Sequence, residues 1–178
     1  MPAERPISAI KPGTSLNTEL VKAHAGQFSC DAVCVFTYTG RGLPNITALH
    51  QCVNLVELNL SDNLVSKIEG IETLSKLKKL VLTNNKITRV ENLGSLESLE
   101  HLLIQGNQIT SLEALNLPLL TQLPKLRSLY LKNVDGSQPN PVCKEKDYKQ
   151  TILTALPDLR NLDGERMSFP VSVLVVLT

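Results

Sequence analysis

The sequence predicts an α/β solenoid. Short parallel strands stack side by side into a concave sheet, a short helical or 3₁₀ side lies behind them, and a helical cap closes each end. Three observations lead there. Leucine accounts for 32 of 178 residues, while aromatic residues make up only 3% and Trp is absent. One dominant aliphatic points to internal repetition, so a period is sought first. The segments LVELNLSDNLV from Leu55, LKKLVLTNNKI from Leu77 and LEHLLIQGNQI from Leu99 then align under one pattern, LxxLxLxxNxI, at a spacing of 22 residues. Within each segment, apolar places 4 and 6 alternate with polar ones, which is the period of a strand.

The same phase extends in both directions. One step back, VCVFTYTGRGL from Val33 fits, with Arg41 at the Asn place. One step forward, LRSLYL begins at Leu126, after a longer connection. Five units result, one strand per turn, each burying its apolar face against its neighbours. Asn63, Asn85 and Asn107 recur at one place, where an inward amide satisfies backbone groups as the chain leaves the strand. Ile68, Ile71 and Leu74, then Val90, Leu93 and Leu96, face inward from the short convex segments. The stretch 112–124 is longer, and Pro118 and Pro124 are expected to break any helix in it.

Solenoids expose their core at both ends and need caps. The first cap reads SLNTELVKAHAG: Leu16, Leu20 and His24 share a helical face, Ser15 or Asn17 can cap, Gly26 can terminate, and Phe28 is expected to plug the first turn. The second cap starts near Asn140-Pro141. Asp147 with Gln150 reads as a capping box, Tyr148, Ile152 and Leu156 as an apolar stripe, and Pro157 as the stop. The expected organisation is a flexible tail over 1–13, an N-terminal cap over 14–32, five repeats over 33–142, a C-terminal cap over 143–168 and an apolar tail over 169–178. For that last segment, an added strand, docking on the cap and disorder all stay open.

These motifs resemble the intracellular 22-residue class of leucine-rich repeat. That is the class of the yeast phosphatase-1 regulatory subunit, the axonemal dynein light chain and the spliceosomal U2 A-prime protein. The ending from Asn140-Pro141 through Tyr148 to Leu156-Pro157 and Asp163-Gly164 is similar to the C-terminal cap of that class, although SFPVSVLVVLT departs from it. The resemblance implies a right-handed solenoid that binds a protein partner. It also admits a regulatory subunit of a phosphatase or small-GTPase pathway, or a structural part of a ciliary or cytoskeletal complex.

Charge and motifs narrow the chemistry. With 18 basic and 17 acidic residues, the net charge of +1 argues against a polycationic nucleic-acid binder. The cluster Lys76, Lys78, Lys79, Lys86 and Arg89 is interleaved with Glu91, Glu97 and Glu100 and has no aromatic stacking platform. No P-loop, GxSxG or HExxH occurs, and Gly40-Arg41-Gly42 reads as a tight turn, so an enzyme is not expected. Cys30, Cys34, Cys52 and Cys143 form no CxxC pair, and with His24, His50 and His101 scattered, neither a metal nor another cofactor is expected. Reduced thiols, the absence of an apolar leader and the lack of a spanning segment point to the cytoplasm, with cytoskeletal, ciliary or nuclear placement left open. The sequon Asn45-Ile46-Thr47 reads as chance in that setting.

The remaining candidate is the inner face. Places 2, 3, 5, 7 and 8 are expected to point to solvent from the concave sheet. Place 5 gives Asn59, Val81, Leu103 and Tyr130 on successive strands; Glu57, Lys79, His101, Arg127 and Lys132 lie around them. An apolar centre with a polar rim is the composition of a protein interface, and Tyr and Arg are typical anchors. The expected function is a monomeric, non-enzymatic scaffold with a protein partner bound there. The enlarged loop 133–139, with its Asp-Gly turn, is either inert or a lip of that surface.

Overall fold

The computed structural model describes residues 16–167, so both expected tails, 1–13 and 169–178, lie outside the described residues. Five three-residue strands follow the repeat: β1 Val35–Thr37, β2 Glu57–Asn59, β3 Lys79–Val81, β4 His101–Leu103 and β5 Ser128–Tyr130. All pair in parallel in chain order. A sixth, β6 Asn161–Leu162, adds in parallel to β5, and β7 Glu165–Arg166 turns back antiparallel on β6. The register is that of the repeat. Phe36, Leu58, Leu80, Leu102 and Leu129 stand opposite one another along the sheet, and each is at most 1% exposed. Period-two alternation sends these side chains inward, where each buried aliphatic contributes about 1.5–3 kcal/mol.

The asparagine place behaves as the pattern predicts. Asn85 Oδ1 accepts from Val65 N at 3.0 Å, and its amide nitrogen donates to Leu60 O, Leu82 O and Thr83 O. Asn63 and Asn107 repeat this set one turn before and one turn after. Arg41 has no such amide, and its own backbone N–H is instead satisfied by Asn63 Oδ1 at 3.1 Å. The ladder also extends where the spacing gave no warning. Asn140, 33 residues past Asn107, donates to Ile104 O and Leu131 O and accepts from Ile109 N.

Several expectations are corrected. The convex segments of the second and third units are single turns, such as Leu74 N to Ile71 O, with no 3₁₀ or α helix. Three strand residues and the Asn loop leave too few residues there to propagate a helix. The stretch 112–124 does form helix, as α2 Leu112–Leu115 and α3 Leu117–Leu120, after α1 Thr18–Ala25 of the first cap. Pro118 sits in the first turn of α3, where it needs no N–H donor, and the break between the two falls at left-handed Asn116 instead. Phe28 is wholly exposed. Gly26, at φ 64°, ends α1 with Gln27 N bonded to Lys22 O, and the chain then runs outward. The core is closed by Leu16, Val21 and the edge of His24 against Phe36 and Tyr38. Asn17 supplies the cap of α1, accepting from Leu20 N at 2.8 Å.

At the far end, α4 Tyr148–Ala155 buries Tyr148 and Ile152 as expected and stops before Pro157. The capping box is absent. Asp147 lies at φ −111°, ψ 18°, rather than in the extended conformation a side-chain cap requires, and only its carbonyl is used, accepting from Thr151.

Candidate protein-binding face

Because place 4 points inward, places 3 and 5 of each strand project from the concave side. Parallel register then sets Val81 opposite Leu103 and Leu103 opposite Tyr130. With strands about 4.8 Å apart, the three half-buried side chains form one continuous strip. Asn59 continues that row on β2, but its side chain turns back to accept from Ser61 N and Ser61 Oγ at 3.1 and 2.7 Å.

Charged pairs border the strip. Glu57 stands opposite Lys79 in the β2–β3 register, with the two charges 3.9 Å apart, and Lys78 meets Glu100 at 3.4 Å one strand further on. All four side chains are at least a third exposed, so each pair contributes only about 0–1 kcal/mol. Their consequence is local neutrality: the face presents alternating charge rather than a field of one sign.

A shallow groove of about 510 Å³ opens across β2 to β5. It gathers Glu57, Lys79, His101, Leu103 and Tyr130 of the expected set. Four further residues line it: Val56, Lys78 and Glu100 from place 2, and Ser128 opposite His101. Place 2 precedes each strand, and the strand twist brings it to the groove floor; reading it as a column in the sequence is the signal that identifies these residues. Arg127 occupies the same column but does not reach in. Its guanidinium folds back onto Pro124 O and Leu126 O at 3.1 and 2.9 Å. Lys132 leaves the groove too, with its ammonium 5.8 Å from the centre of the Tyr148 ring.

Place 7 is not uniformly exposed. Gln105 is 7% exposed and accepts from Thr83 Oγ1 at 3.1 Å, because two neighbouring polar side chains satisfy each other as the loops close over them. The loop 133–139 is internally tied by Asn133 N to Ser137 O and Ser137 N to Asp135 Oδ1. Its Gln138 carbonyl accepts from Gly106 N, fastening it to the preceding turn, while Val134 is left 76% exposed.

Among the described residues no group of three or more His, Cys, Asp or Glu converges as a metal site. No helix among them is long and apolar enough to cross a membrane. What the face offers is shape, an apolar strip and paired charges.

Known proteins with the same features fall into one group. The profile of the leucine-rich repeat family matches residues 15–169. Leucine-rich repeat-containing protein 61 of Mus musculus is 42% identical over 167 residues, covering 94% of this chain and 63% of that protein. Its Homo sapiens counterpart is 40% identical over 166 residues, covering 93% and 62%. The chain therefore spans less than two thirds of the length of these relatives. Among solved structures, a chain of the Drosophila melanogaster SNF/U2A′ complex superposes with a TM-score of 0.74 at 26% identity, covering 87% of this chain and 86% of that one.

Proposed function

The chain belongs to the leucine-rich repeat family, whose members typically serve protein–protein interaction, and from that premise we propose that it is a non-enzymatic scaffold gripping a protein partner in its concave sheet. One observation carries the reading: the strip Val81–Leu103–Tyr130, in register across three strands and rimmed by the Glu57–Lys79 and Lys78–Glu100 pairs. An apolar centre gives affinity and a balanced rim gives register, the division of labour found in protein interfaces. Support also comes from the Drosophila neighbour, which was solved as a complex with another protein.

The test replaces the strip and leaves the core alone. Leu103→Glu combined with Tyr130→Glu removes the protein partners that the parent chain retains in a pull-down read by mass spectrometry. The melting temperature stays within about 2 °C, because both side chains are on the surface. Unaltered capture by the double variant overturns the proposal. The proteins lost also separate the finer roles: a phosphatase catalytic subunit or a GTPase marks a regulatory subunit, and axonemal or cytoskeletal proteins mark a structural component.

A further inference from the structure

Each coil makes the same tight turn just before its strand. The carbonyl three residues ahead of place 1 accepts from the place-1 N–H: Cys30 from Val33, Cys52 from Leu55, Leu74 from Leu77, Leu96 from Leu99 and Leu123 from Leu126. All five residues at this position are buried. Leucine fills it in three coils. In the first two it is cysteine, and Cys30 and Cys52 lie 22 residues apart, the same offset as the β1–β2 register.

Equivalent positions in adjacent coils are separated by about the strand spacing of 4.8 Å. That falls inside the Cα separation of about 4.4–6.8 Å that a disulfide spans. Both sulfurs are free, and the Cys30 thiol is a hydrogen-bonding neighbour of the Cys52 thiol. Cys30 Sγ also reaches Thr18 O at 3.9 Å, so this residue joins α1 to the first coil. The two other cysteines have no such partner position: Cys34 is exposed at the start of β1, and Cys143 lies in the far cap.

We propose that Cys30 and Cys52 are a modification site: a dithiol that glutathione disulfide oxidises to an intramolecular disulfide, fastening the N-terminal cap to the first repeat. Burial, with the Cys30 thiol beside it, pushes the Cys52 thiol up to about 12, which makes Cys30 the first attacker. The Cys30 thiolate attacks one sulfur of glutathione disulfide; that S–S bond breaks and one glutathione thiolate leaves. The Cys52 thiolate then attacks Cys30 Sγ, forming the new S–S bond and expelling the second glutathione. The two thiol protons end on the two glutathiones, which carry the two electrons. Because both sulfurs are nearly inaccessible, the step waits on opening of the α1 cap, and closure holds that cap shut.

The full chain is equilibrated in glutathione buffers from reducing to oxidising, quenched with acid and digested without reduction. The expected product is monomeric chain with a Cys30–Cys52 cross-linked peptide, two hydrogens lighter than the thiol pair. Its melting temperature is about 5–10 °C higher, as for a 22-residue loop closed in the unfolded state. Cys30→Val and Cys52→Val, apolar replacements for buried thiols, each abolish that oxidation-dependent rise. Persistence of both thiols at the most oxidising poise overturns the proposal. So does separate glutathionylation of the two, or a Cys30–Cys34 cross-link in their place.

Discussion

Tyr148 Oη donates to Asp163 Oδ2 at 3.0 Å, while Asp163 Oδ1 accepts from Leu131 N at 2.6 Å and Lys132 N at 3.1 Å. One carboxylate, 3% exposed, thus joins the cap helix α4 to the end of β5. It takes over the acceptor role of the asparagine ladder one turn after Asn140. The charge is accommodated because both oxygens are fully hydrogen-bonded. Asp163→Ala leaves two buried N–H groups and a buried hydroxyl without partners and is expected to cost about 2–4 kcal/mol in urea unfolding. Asp163→Asn, which keeps Oδ1 as an acceptor, should cost clearly less. Equal losses for both would mean that charge, not acceptor placement, is what the site needs.

The same pair sets an alkaline limit. Burial first, then the Asp163 charge, raise the Tyr148 hydroxyl above its ordinary value of 10.0. The folded chain holds this proton more tightly than the unfolded one. Its contribution is therefore fully present below about pH 10 and falls as pH climbs above that. Burial likewise lifts the Cys143 thiol up to about 11, so its contribution begins to fall from about pH 9. Stability followed by urea titration from pH 8 to pH 12 should decline, and Tyr148→Phe should flatten the part above pH 10 relative to the parent.

Asn85→Ala removes the amide at the centre of the ladder. Val65 N loses its side-chain acceptor, and the carbonyls of Leu60 and Leu82 lose a buried donor. The expected loss is about 2–4 kcal/mol. A value within about 0.5 kcal/mol of zero, the range of an ordinary surface change, would contradict the assignment.

Gly70 is the glycine whose substitution the fold resists most plainly. It lies at φ +73°, and a Cβ there would sit 2.5 Å from the Cα of Thr47. Backbone, not a movable side chain, is in the way. Gly70→Ala should cost about 2–4 kcal/mol through left-handed strain and overpacking. At Gly40, also left-handed at φ +64°, nothing lies within 4 Å, so Gly40→Ala should cost only about 1–2 kcal/mol. Comparable midpoints for the two variants in urea would refute the contact at Thr47.

Phe28 separates local from spatial reasoning at the other cap. Phe28→Ser should leave the melting point within about 2 °C of the parent, because no part of the ring is buried. Val21→Ala, at a position with no exposure, should cost about 1–3 kcal/mol on the same assay.

How much was legible from the residues follows from how far each interaction reaches along the chain. Strands β1 to β5, their inward leucines, the amides of Asn63, Asn85 and Asn107, and the strip Val81–Leu103–Tyr130 all recur at one period. Local alternation plus a constant offset of 22 is enough to place them. Where the offset breaks, the pattern is silent. Asn140 enters the ladder across a 33-residue gap because Ile109 N and Ile104 O needed partners, and any amide brought there by the chain could supply them.

Side-chain direction at the groove was likewise outside the pattern. The guanidinium of Arg127 chooses its own loop carbonyls, and Lys132 chooses the Tyr148 ring, although both occupy columns that the repeat assigns to the inner face. Periodic burial of leucine is a property of sequence arithmetic, so the coil, its register and its apolar strip were determined by the chain alone. Satisfaction of buried polar groups and the final aim of long side chains depend on which atoms come near in space. Only the folded structure therefore decided that Asn140 and Asp163 extend the ladder, that Phe28 faces solvent, and that Val56, Lys78, Glu100 and Ser128 complete the groove.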